Sequence, residues 1–436
     1  MRRLAMTGLM LAALMPGAAA DDREDCGKVV GDPLSACARA IASGRYEGAD
    51  LAGLHYYRGL AWHRRGAFDQ SIVDFGEALK DRSQSVAAFA ARGDAYALKG
   101  DFGRAVDDYN AALKIDPNHA GALTSRGSAY GRLGLHARAL ADLNRAAELS
   151  PKSAAVLNSR GTFYARTGDY DRAIEDYGRA LAVEPAYAAA WGNRGYARYN
   201  KRDYDGALAD YSEAVRLGAR GPAVFAARAR VYQAKGDFAR AVADYDEALS
   251  RAPGDPRLHN ERGIAQENNK DYERALADYS AAIRLDPNMA QAWRNRADVY
   301  DTWRDYARAI ADYDEAIRLE PQNADAFVGR CRSLAAQGRE LAAARADCDA
   351  ALRLKPHAAA ALDARGLVNL KAGAVAAAIA DYEAALKLEP KRASALYGRA
   401  IARLKRGDFV GGNADLNAAS AIEANIGEEF ARYGVR

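Results

Sequence analysis

The chain has 436 residues, of which half are hydrophobic and 28% are charged, so it is expected to fold rather than to remain disordered. Its formal net charge is only +4, which gives no electrostatic support to a nucleic-acid-binding protein. Alanine and arginine are abundant and β-branched residues are scarce in the middle of the chain, which favours helices over sheets.

Residues 1–20 have the pattern of a secretory signal peptide. Arg2 and Arg3 precede an apolar stretch too short to span a bilayer, and Ala18 and Ala20 are the small residues that commonly precede cleavage. We therefore expect cleavage after Ala20 and a periplasmic or secreted bacterial protein with no transmembrane segment in its mature chain. The arginine pair leaves both the general secretory route and the twin-arginine route open.

Residues 21–51 form a short segment before a periodic region begins. The segment contains one predicted helix, within "PLSACARAIASG", and two cysteines, Cys26 and Cys37. An exported protein matures in an oxidising compartment, where cysteines usually pair. We predict a disulfide bond between Cys26 and Cys37.

From residue 52 to residue 423 the sequence repeats with a period of 34 residues. An arginine recurs at each period from Arg58 to Arg330 and, after one inserted residue, again at Arg365 and Arg399. An aspartate follows each arginine by 16 residues, or by 17 in the ninth copy, and an alanine lies four residues after every aspartate. Such self-similarity predicts about eleven copies of one supersecondary unit that bury their apolar faces by stacking.

The repeat resembles the tetratricopeptide repeat. The fourth copy has that family's pattern of large, small and aromatic residues and its closing proline at Leu157, Gly161, Tyr164, Ala173, Tyr177, Ala180 and Pro185. At the seventh position of every copy, where the family usually has leucine, this chain has arginine. The resemblance implies an all-α fold, a right-handed α-solenoid of about eleven 34-residue helix-turn-helix repeats with short helical caps.

The resemblance also implies a division of the chain. We expect a signal peptide at 1–20, an N-terminal capping segment at 21–51, the repeat array at 52–423 and a C-terminal capping helix at 424–436. The helix in the N-terminal segment resembles a lone second helix that covers the first repeat. The sequence "NIGEEFARYGVR" resembles a truncated first helix that covers the last repeat.

Two further cysteines lie in the ninth repeat. Cys331 and Cys348 occupy the glycine position of its first helix and the aromatic position of its second helix, which face each other across the hairpin. We predict a second disulfide bond between them, and the alternative is that all four cysteines are buried free thiols. A redox-active pair is disfavoured because neither pair has the CxxC spacing.

The repeated arginine and aspartate are predicted to belong to the framework. Their spacing across a tight hairpin places them at the same height on facing helices, so we predict an ion pair within each repeat or one that reaches into the adjacent repeat. The pairs include Arg160 with Asp176, Arg194 with Asp210 and Arg262 with Asp278. A specific catalytic site would not be copied in every repeat.

We expect no enzymatic activity, no cofactor and no metal site. The sequence contains no nucleophile elbow, zinc-protease motif, P-loop or dinucleotide-binding motif. Its six histidines are scattered, and His55 and His259 stand at the large-residue position of a first helix, where a packing role is expected.

The resemblance implies a partner-binding groove lined by the first helices of the repeats. In repeats four to eight the groove positions are polar or aromatic, and we predict a partner-binding surface at Asn158, Ser159, Asn193, Tyr196, Tyr199, Asn200, Asn260, Glu261, Arg294, Asn295 and Asp298. Asparagine both donates and accepts hydrogen bonds through its amide, which suits the backbone of an extended peptide.

Two functions are therefore open at this point. The first is a non-catalytic scaffold that binds a protein or peptide in the groove. The second is a periplasmic accessory factor that binds a small molecule or a cell-wall glycan, which would require a pocket with a clustered acid pair.

Overall fold

The structure, a computed structural model, describes residues 21–27, 32–81, 84–338 and 340–435. The predicted signal peptide at residues 1–20 lies outside these ranges. Within them every regular element is an α-helix, 25 in all, which confirms the all-α prediction. None of these helices is both long enough and apolar enough to cross a membrane.

The chain divides into two compact units, and the N-terminal unit ends at Ala219. It begins with the short helices α1 (Asp21–Cys26) and α2 (Pro33–Ala42). Five helix pairs follow: α3 (Gly48–Arg64) and α4 (Phe68–Asp81), α5 (Val86–Leu98) and α6 (Phe102–Ile115), α7 (Ala120–Arg132) and α8 (His136–Leu149), α9 (Ala154–Arg166) and α10 (Tyr170–Val183), and α11 (Ala188–Asn200) and α12 (Tyr204–Arg216). These pairs are repeats 1 to 5.

The C-terminal unit begins at Arg220 and contains repeats 6 to 11. Its helix pairs are α13 (Pro222–Ala234) and α14 (Phe238–Arg251), α15 (Pro256–Asn268) and α16 (Tyr272–Leu285), α17 (Ala290–Thr302) and α18 (Tyr306–Leu319), α19 (Ala324–Gln337) and α20 (Leu341–Leu354), α21 (Ala359–Lys371) and α22 (Val375–Leu388), and α23 (Ala393–Lys405) and α24 (Phe409–Ile422). A last short helix, α25 (Ile426–Arg432), follows them.

Within each unit the principal contacts join helices that are one or two places apart along the chain. The two helices of a repeat pack on each other, and the second helix packs on the first helix of the next repeat. One hairpin cannot bury its apolar face alone, so each repeat depends on its neighbours for a core. Each unit is therefore an α-solenoid.

Close packing within a repeat depends on a small residue opposite a large ring. A Cβ atom added to Gly161 in α9 would lie 2.8 Å from a ring carbon of Tyr177 in α10, a distance that real Cβ atoms do not tolerate. Gly93 and Tyr109 make the same contact in repeat 2. The glycine thus lets two helices approach closely enough to bury the ring completely.

The turn inside each repeat has a fixed conformation. Gly168 adopts a left-handed φ of 84°, and the next residue, Asp169, caps α10 by accepting a hydrogen bond from the backbone N–H of Arg172 at 3.2 Å. In repeats 5 and 8 the left-handed position holds Arg202 and Arg304, each at φ 62°. The turn geometry is therefore kept even where glycine is absent.

Both predicted disulfide bonds are present. Cys26 bonds to Cys37 and Cys331 bonds to Cys348, and the Cα atoms of the second pair are 5.7 Å apart. The second bond stands where most other repeats have a glycine and an aromatic ring, so in repeat 9 a covalent link replaces that packing contact.

The ends of the array differ in part from expectation. The N-terminal segment has two helices, since α1 precedes the expected α2, and α2 packs on α3 as a second helix would. At the other end α25 packs on both α23 and α24, and its apolar residues join the buried cluster that includes α21 and α23.

Candidate functional site

The repeated arginine and aspartate form a bidentate pair in every repeat. In repeat 4 the Nε and Nη2 atoms of Arg160 donate to the two carboxylate oxygens of Asp176, each at 2.7 Å. The same two bonds join Arg58 to Asp74, Arg92 to Asp108, Arg126 to Asp142, Arg194 to Asp210, Arg228 to Asp244, Arg262 to Asp278, Arg296 to Asp312, Arg330 to Asp347, Arg365 to Asp381 and Arg399 to Asp415. These aspartates are all buried.

The arginine also reaches the preceding repeat. Nη1 of Arg160 donates to Oδ1 of Asn144 in repeat 3 at 3.1 Å, and Nη1 of Arg330 donates to Oδ1 of Asp314 in repeat 8 at 2.6 Å. Where glycine stands at this place, as Gly178 does before Arg194, the position offers no side chain to bond. Both forms of pairing that the sequence allowed, within a repeat and between repeats, therefore occur on the same arginine.

The ion pairs have a structural role. The hydrogen bonds with Asp176 raise the pKa of Arg160 above its ordinary value, so the guanidinium stays charged. The histidines predicted to pack also join this framework, since Nδ1 of His55 lies 2.9 Å from Asp74 and Nδ1 of His259 lies 3.1 Å from Asp278. The charges that repeat with the sequence are thus used to hold helices together.

In the N-terminal unit the predicted binding residues meet on the first helices of repeats 4 and 5. The amide Nδ2 of Asn193 in α11 donates to Oδ1 of Asn158 in α9 at 3.0 Å, which links the two repeats. Within the described residues, the remaining amide donor of Asn158 and the amide oxygen of Asn193 make no hydrogen bond. Ser159 is half-buried beside Asn158. We call this group, together with Tyr196, Tyr199 and Asn200, the repeat 4–5 surface.

Aromatic residues flank the asparagine pair. Tyr196 is 50% exposed, and its ring contacts the ring of Tyr170 in an edge arrangement. Tyr199 is half-buried with its ring 5.8 Å from that of Tyr204, and exposed Asn200 donates to the backbone oxygen of Tyr196 at 2.8 Å. The repeat 4–5 surface therefore combines open amide groups with an accessible aromatic ring.

In the C-terminal unit the predicted residues lie on repeats 7 and 8 and are more deeply placed. Asn295 donates to Asn260 at 3.0 Å, in the same arrangement as the first asparagine pair. Here both asparagines are buried, so they offer little surface to a partner. Glu261 is paired with Arg230 at 2.7 Å.

Two further predicted residues of repeat 8 are tied to each other. Arg294 donates to Asp298 at 2.8 Å, and Asp298 accepts a second hydrogen bond from the hydroxyl of Tyr313 at 2.6 Å. Burial raises the pKa of Asp298 above its ordinary value, and it does the same to nearby Glu267. This network already satisfies its own polar groups and is a weaker candidate for peptide contact.

The first helix of repeat 1 contributes groove residues that were not among the predicted binding residues. A cavity of about 270 Å³ there is lined by Arg23, Tyr56, Tyr57 and Ala87 among others. Both tyrosines stand at groove positions of the first helix, so the periodicity that found the polar residues could have found them. No group of three or more potential metal ligands comes together within the part of the chain that the structure describes.

Several solved structures match parts of this chain. YrrB, described as a tetratricopeptide repeat protein with an unusual peptide-binding site, is 21% identical over 42% of this chain and 95% of its own, with a TM-score of 0.39. PilF of Pseudomonas aeruginosa is 20% identical over 50% of this chain and 99% of its own, with a TM-score of 0.45. Yeast Tom70 is 17% identical over 89% of this chain and 95% of its own, with a TM-score of 0.39. A comparison with curated proteins found no match.

Family profiles match the repeats directly. One profile described as tetratricopeptide repeat matches residues 124–179, 158–222, 226–290 and 364–421, a second matches 262–328, and a profile described as TPR repeat matches 93–134. These matches extend over more than half of the chain, and such repeats serve as protein-interaction scaffolds. The chain belongs to the tetratricopeptide repeat family.

Proposed function

We propose that this protein is a non-catalytic scaffold, exported to the bacterial periplasm or secreted, that binds an extended peptide or the tail of a partner protein on the repeat 4–5 surface. The observation that carries the proposal is the hydrogen-bonded pair Asn158–Asn193, which bridges two repeats at 3.0 Å. Each asparagine keeps one amide group that bonds to nothing within the described residues. An extended peptide backbone requires one donor and one acceptor of this kind.

The surroundings of the pair support the same function. Tyr196 offers a half-exposed ring, and aromatic residues are enriched where proteins bind one another because they bury much surface at low entropic cost. Export is supported by the signal-like residues 1–20 and by the two disulfide bonds.

Site-specific photocrosslinking tests the proposal. The full sequence is expressed with a photoreactive phenylalanine at Tyr196, and the protein is recovered from the periplasmic fraction, where its first residue should be Asp21. We expect a discrete crosslinked protein at this position. The matched control is the same reagent at Val183, an exposed residue on the second helix of repeat 4, where no such product is expected.

A double substitution separates binding from chance proximity. Asn158→Ala with Asn193→Ala removes two hydrogen-bonding groups, each worth about 0.5–1.5 kcal/mol, so the affinity for the crosslinked partner should fall about tenfold or more. An unchanged affinity would contradict the proposal. Tight binding to cell-wall fragments without any crosslinked protein would favour the accessory factor for a glycan.

A further inference from the structure

The C-terminal tail, defined here as residues 426–435, covers the first helices of repeats 9 to 11. Ile426 is 1% exposed and Phe430 is 2% exposed. Both belong to one buried apolar cluster with Leu367 of α21 and Ile401 of α23. The rings of Phe430 and Tyr397 lie 4.8 Å apart, centroid to centroid. The tail therefore occupies the face on which a partner would be expected.

The surface beneath the tail differs in character from the neighbouring repeats. Val328, Leu367, Tyr397 and Ile401 stand at groove positions in repeats 9 to 11, whereas repeats 7 and 8 have mainly amide and charged side chains there. Without the tail these residues would form a contiguous apolar patch, which in folded proteins marks an interaction site. The chain supplies its own cover for this patch.

The tail is held to the first helices chiefly by apolar contacts. Within the described residues no side-chain hydrogen bond or ion pair joins 426–435 to the repeats; the backbone N–H of Ile426 donates to the carbonyl of Glu423 at 3.2 Å, a local bond at the end of α24. The polar side chains of the tail bond internally, since Tyr433 donates to Glu429 at 2.8 Å and Arg432 donates to Glu428 at 3.0 Å. The helix α25 has only seven residues, too few to be stable in isolation. The tail can therefore leave the first helices without breaking a side-chain hydrogen bond, and it would lose its helix on leaving.

The cover is also incomplete. A cavity of about 80 Å³ remains between the tail and the repeats, lined by Val328, Arg332, Asp363, Glu429 and Tyr433 among others. Its volume exceeds that of a single water molecule. A helix with larger side chains at these points would fill the space and bury more apolar surface than the tail does.

We propose that the first helices of repeats 9 to 11 are a docking site for an amphipathic helix of a partner protein. The tail indicates the chemistry of that helix: two aromatic residues three positions apart, as in Phe430 and Tyr433, with an acidic residue directly before the first. The tail closes the site until such a helix replaces it. This site is separate from the repeat 4–5 surface, so the proposal goes beyond the function proposed above.

The tail competes with any partner from a high effective concentration, because it is tethered beside its own site. Releasing it should therefore expose a strong site for its own sequence. The probe is a fluorescein-labelled peptide of residues 424–435, titrated by anisotropy against the full mature chain and against the full-length variant Phe430→Ser with Tyr433→Ser. We expect the released variant to bind the peptide at least tenfold more tightly than the native chain.

A variant of the repeats locates the site. On the released background, Leu367→Glu should abolish peptide binding, since it places a charge where the Phe430 side chain packs. The matched control is Leu388→Glu, because Leu388 is 43% exposed at the end of α22 and should leave binding unchanged. Circular dichroism establishes that each variant remains folded.

Four outcomes would overturn the proposal. The released variant could be folded and bind no peptide, or Leu367→Glu could bind as well as its control. In hydrogen exchange of the native chain, the amides of α25 should exchange faster than those of α23, and equal protection would mean that the tail opens only with the whole unit. A native dimer that separates in the released variant would assign the site to a second copy's tail. Crosslinking at Tyr196 is independent of all these results.

Discussion

At the scale of single residues, one arginine side chain makes three hydrogen bonds in this framework. Arg160 is 16% exposed in its side chain, and it holds the two oxygens of Asp176 while reaching Asn144 of the preceding repeat. A lysine could not make these bonds together, because only the planar guanidinium presents donors in a fork. The departure from the family's usual leucine at this position therefore replaces an apolar contact with a polar one that joins two repeats.

Arg160→Ala should lower the local stability of repeat 4 by roughly 3–5 kcal/mol, because it removes both short hydrogen bonds to the buried carboxylate of Asp176 and leaves only the more distant Arg179, at 3.6 Å. The loss is measured as the change in opening free energy of α9 and α10 in native-state hydrogen exchange. Arg172→Ala is the control, since Arg172 pairs with Asp169 at the surface and its removal should change nothing measurable. A loss below about 0.5 kcal/mol for Arg160→Ala would mean that solvent replaces the pair.

At the scale of helices, the distance between the two helices of a repeat depends on a residue that has no side chain. Gly161 lies against the ring of Tyr177, and the two helices can be this close only because the glycine has no Cβ atom. Glycine weakens a helix by about 0.5–1 kcal/mol relative to alanine. Seven of the eleven repeats have glycine at this position, and in six of them it lies opposite an aromatic ring. In repeat 9 the disulfide bond of Cys331 and Cys348 replaces the contact.

Gly161→Ala should therefore destabilise repeat 4 by about 1–3 kcal/mol, because the added methyl group would lie 2.8 Å from the Tyr177 ring and force the helices apart. Gly192→Ala in the next first helix provides the contrast, since nothing lies within 4 Å of the added atom. That variant should gain about 0.5–1 kcal/mol from helix propensity. Urea denaturation compares the two, and effects of the same sign would contradict this account of the packing.

At the scale of the whole molecule, stability is built from neighbouring contacts. Principal helix contacts extend over only one or two places along the chain within each unit. Among the described residues of each unit, contacts join neighbouring repeats, so the free energy of folding is close to a sum of repeat and interface terms. A chain of this kind need not unfold in one step.

A destabilising substitution in one repeat should therefore affect only that repeat and its neighbours. Arg160→Ala should raise hydrogen exchange in repeats 3, 4 and 5, which share contacts with the altered helix, while α21 and α22 of the C-terminal unit keep their native protection. The measurement is exchange followed by mass spectrometry on the intact mature chain. Uniform loss of protection from α3 to α24 would show instead that the chain unfolds as one cooperative unit.

The repeat, the helices, the cysteine pairs and the ion pairs of arginine with aspartate were all predicted from the sequence, and the structure added that each ion pair is bidentate. Each of these depends on local spacing: a period of 34 residues fixes which side chains face each other across a hairpin, and that geometry is the same in every copy. The family followed from the same spacing. The period also places Asn158 and Asn193 on neighbouring first helices, where their side chains meet.

Only the tertiary structure decided how accessible those positions are. Asn260 and Asn295 make the same hydrogen bond as Asn158 and Asn193, but they are buried. The periodicity gives both pairs the same position and cannot reveal this difference, because burial depends on the side chains that neighbouring repeats contribute. The tail is the clearest case. Its residues resemble a first helix, and Phe430 packs against Tyr397 of the preceding first helix. The burial of Phe430 nevertheless depends on the apolar side chains that α21 and α23 contribute together, which the period does not specify.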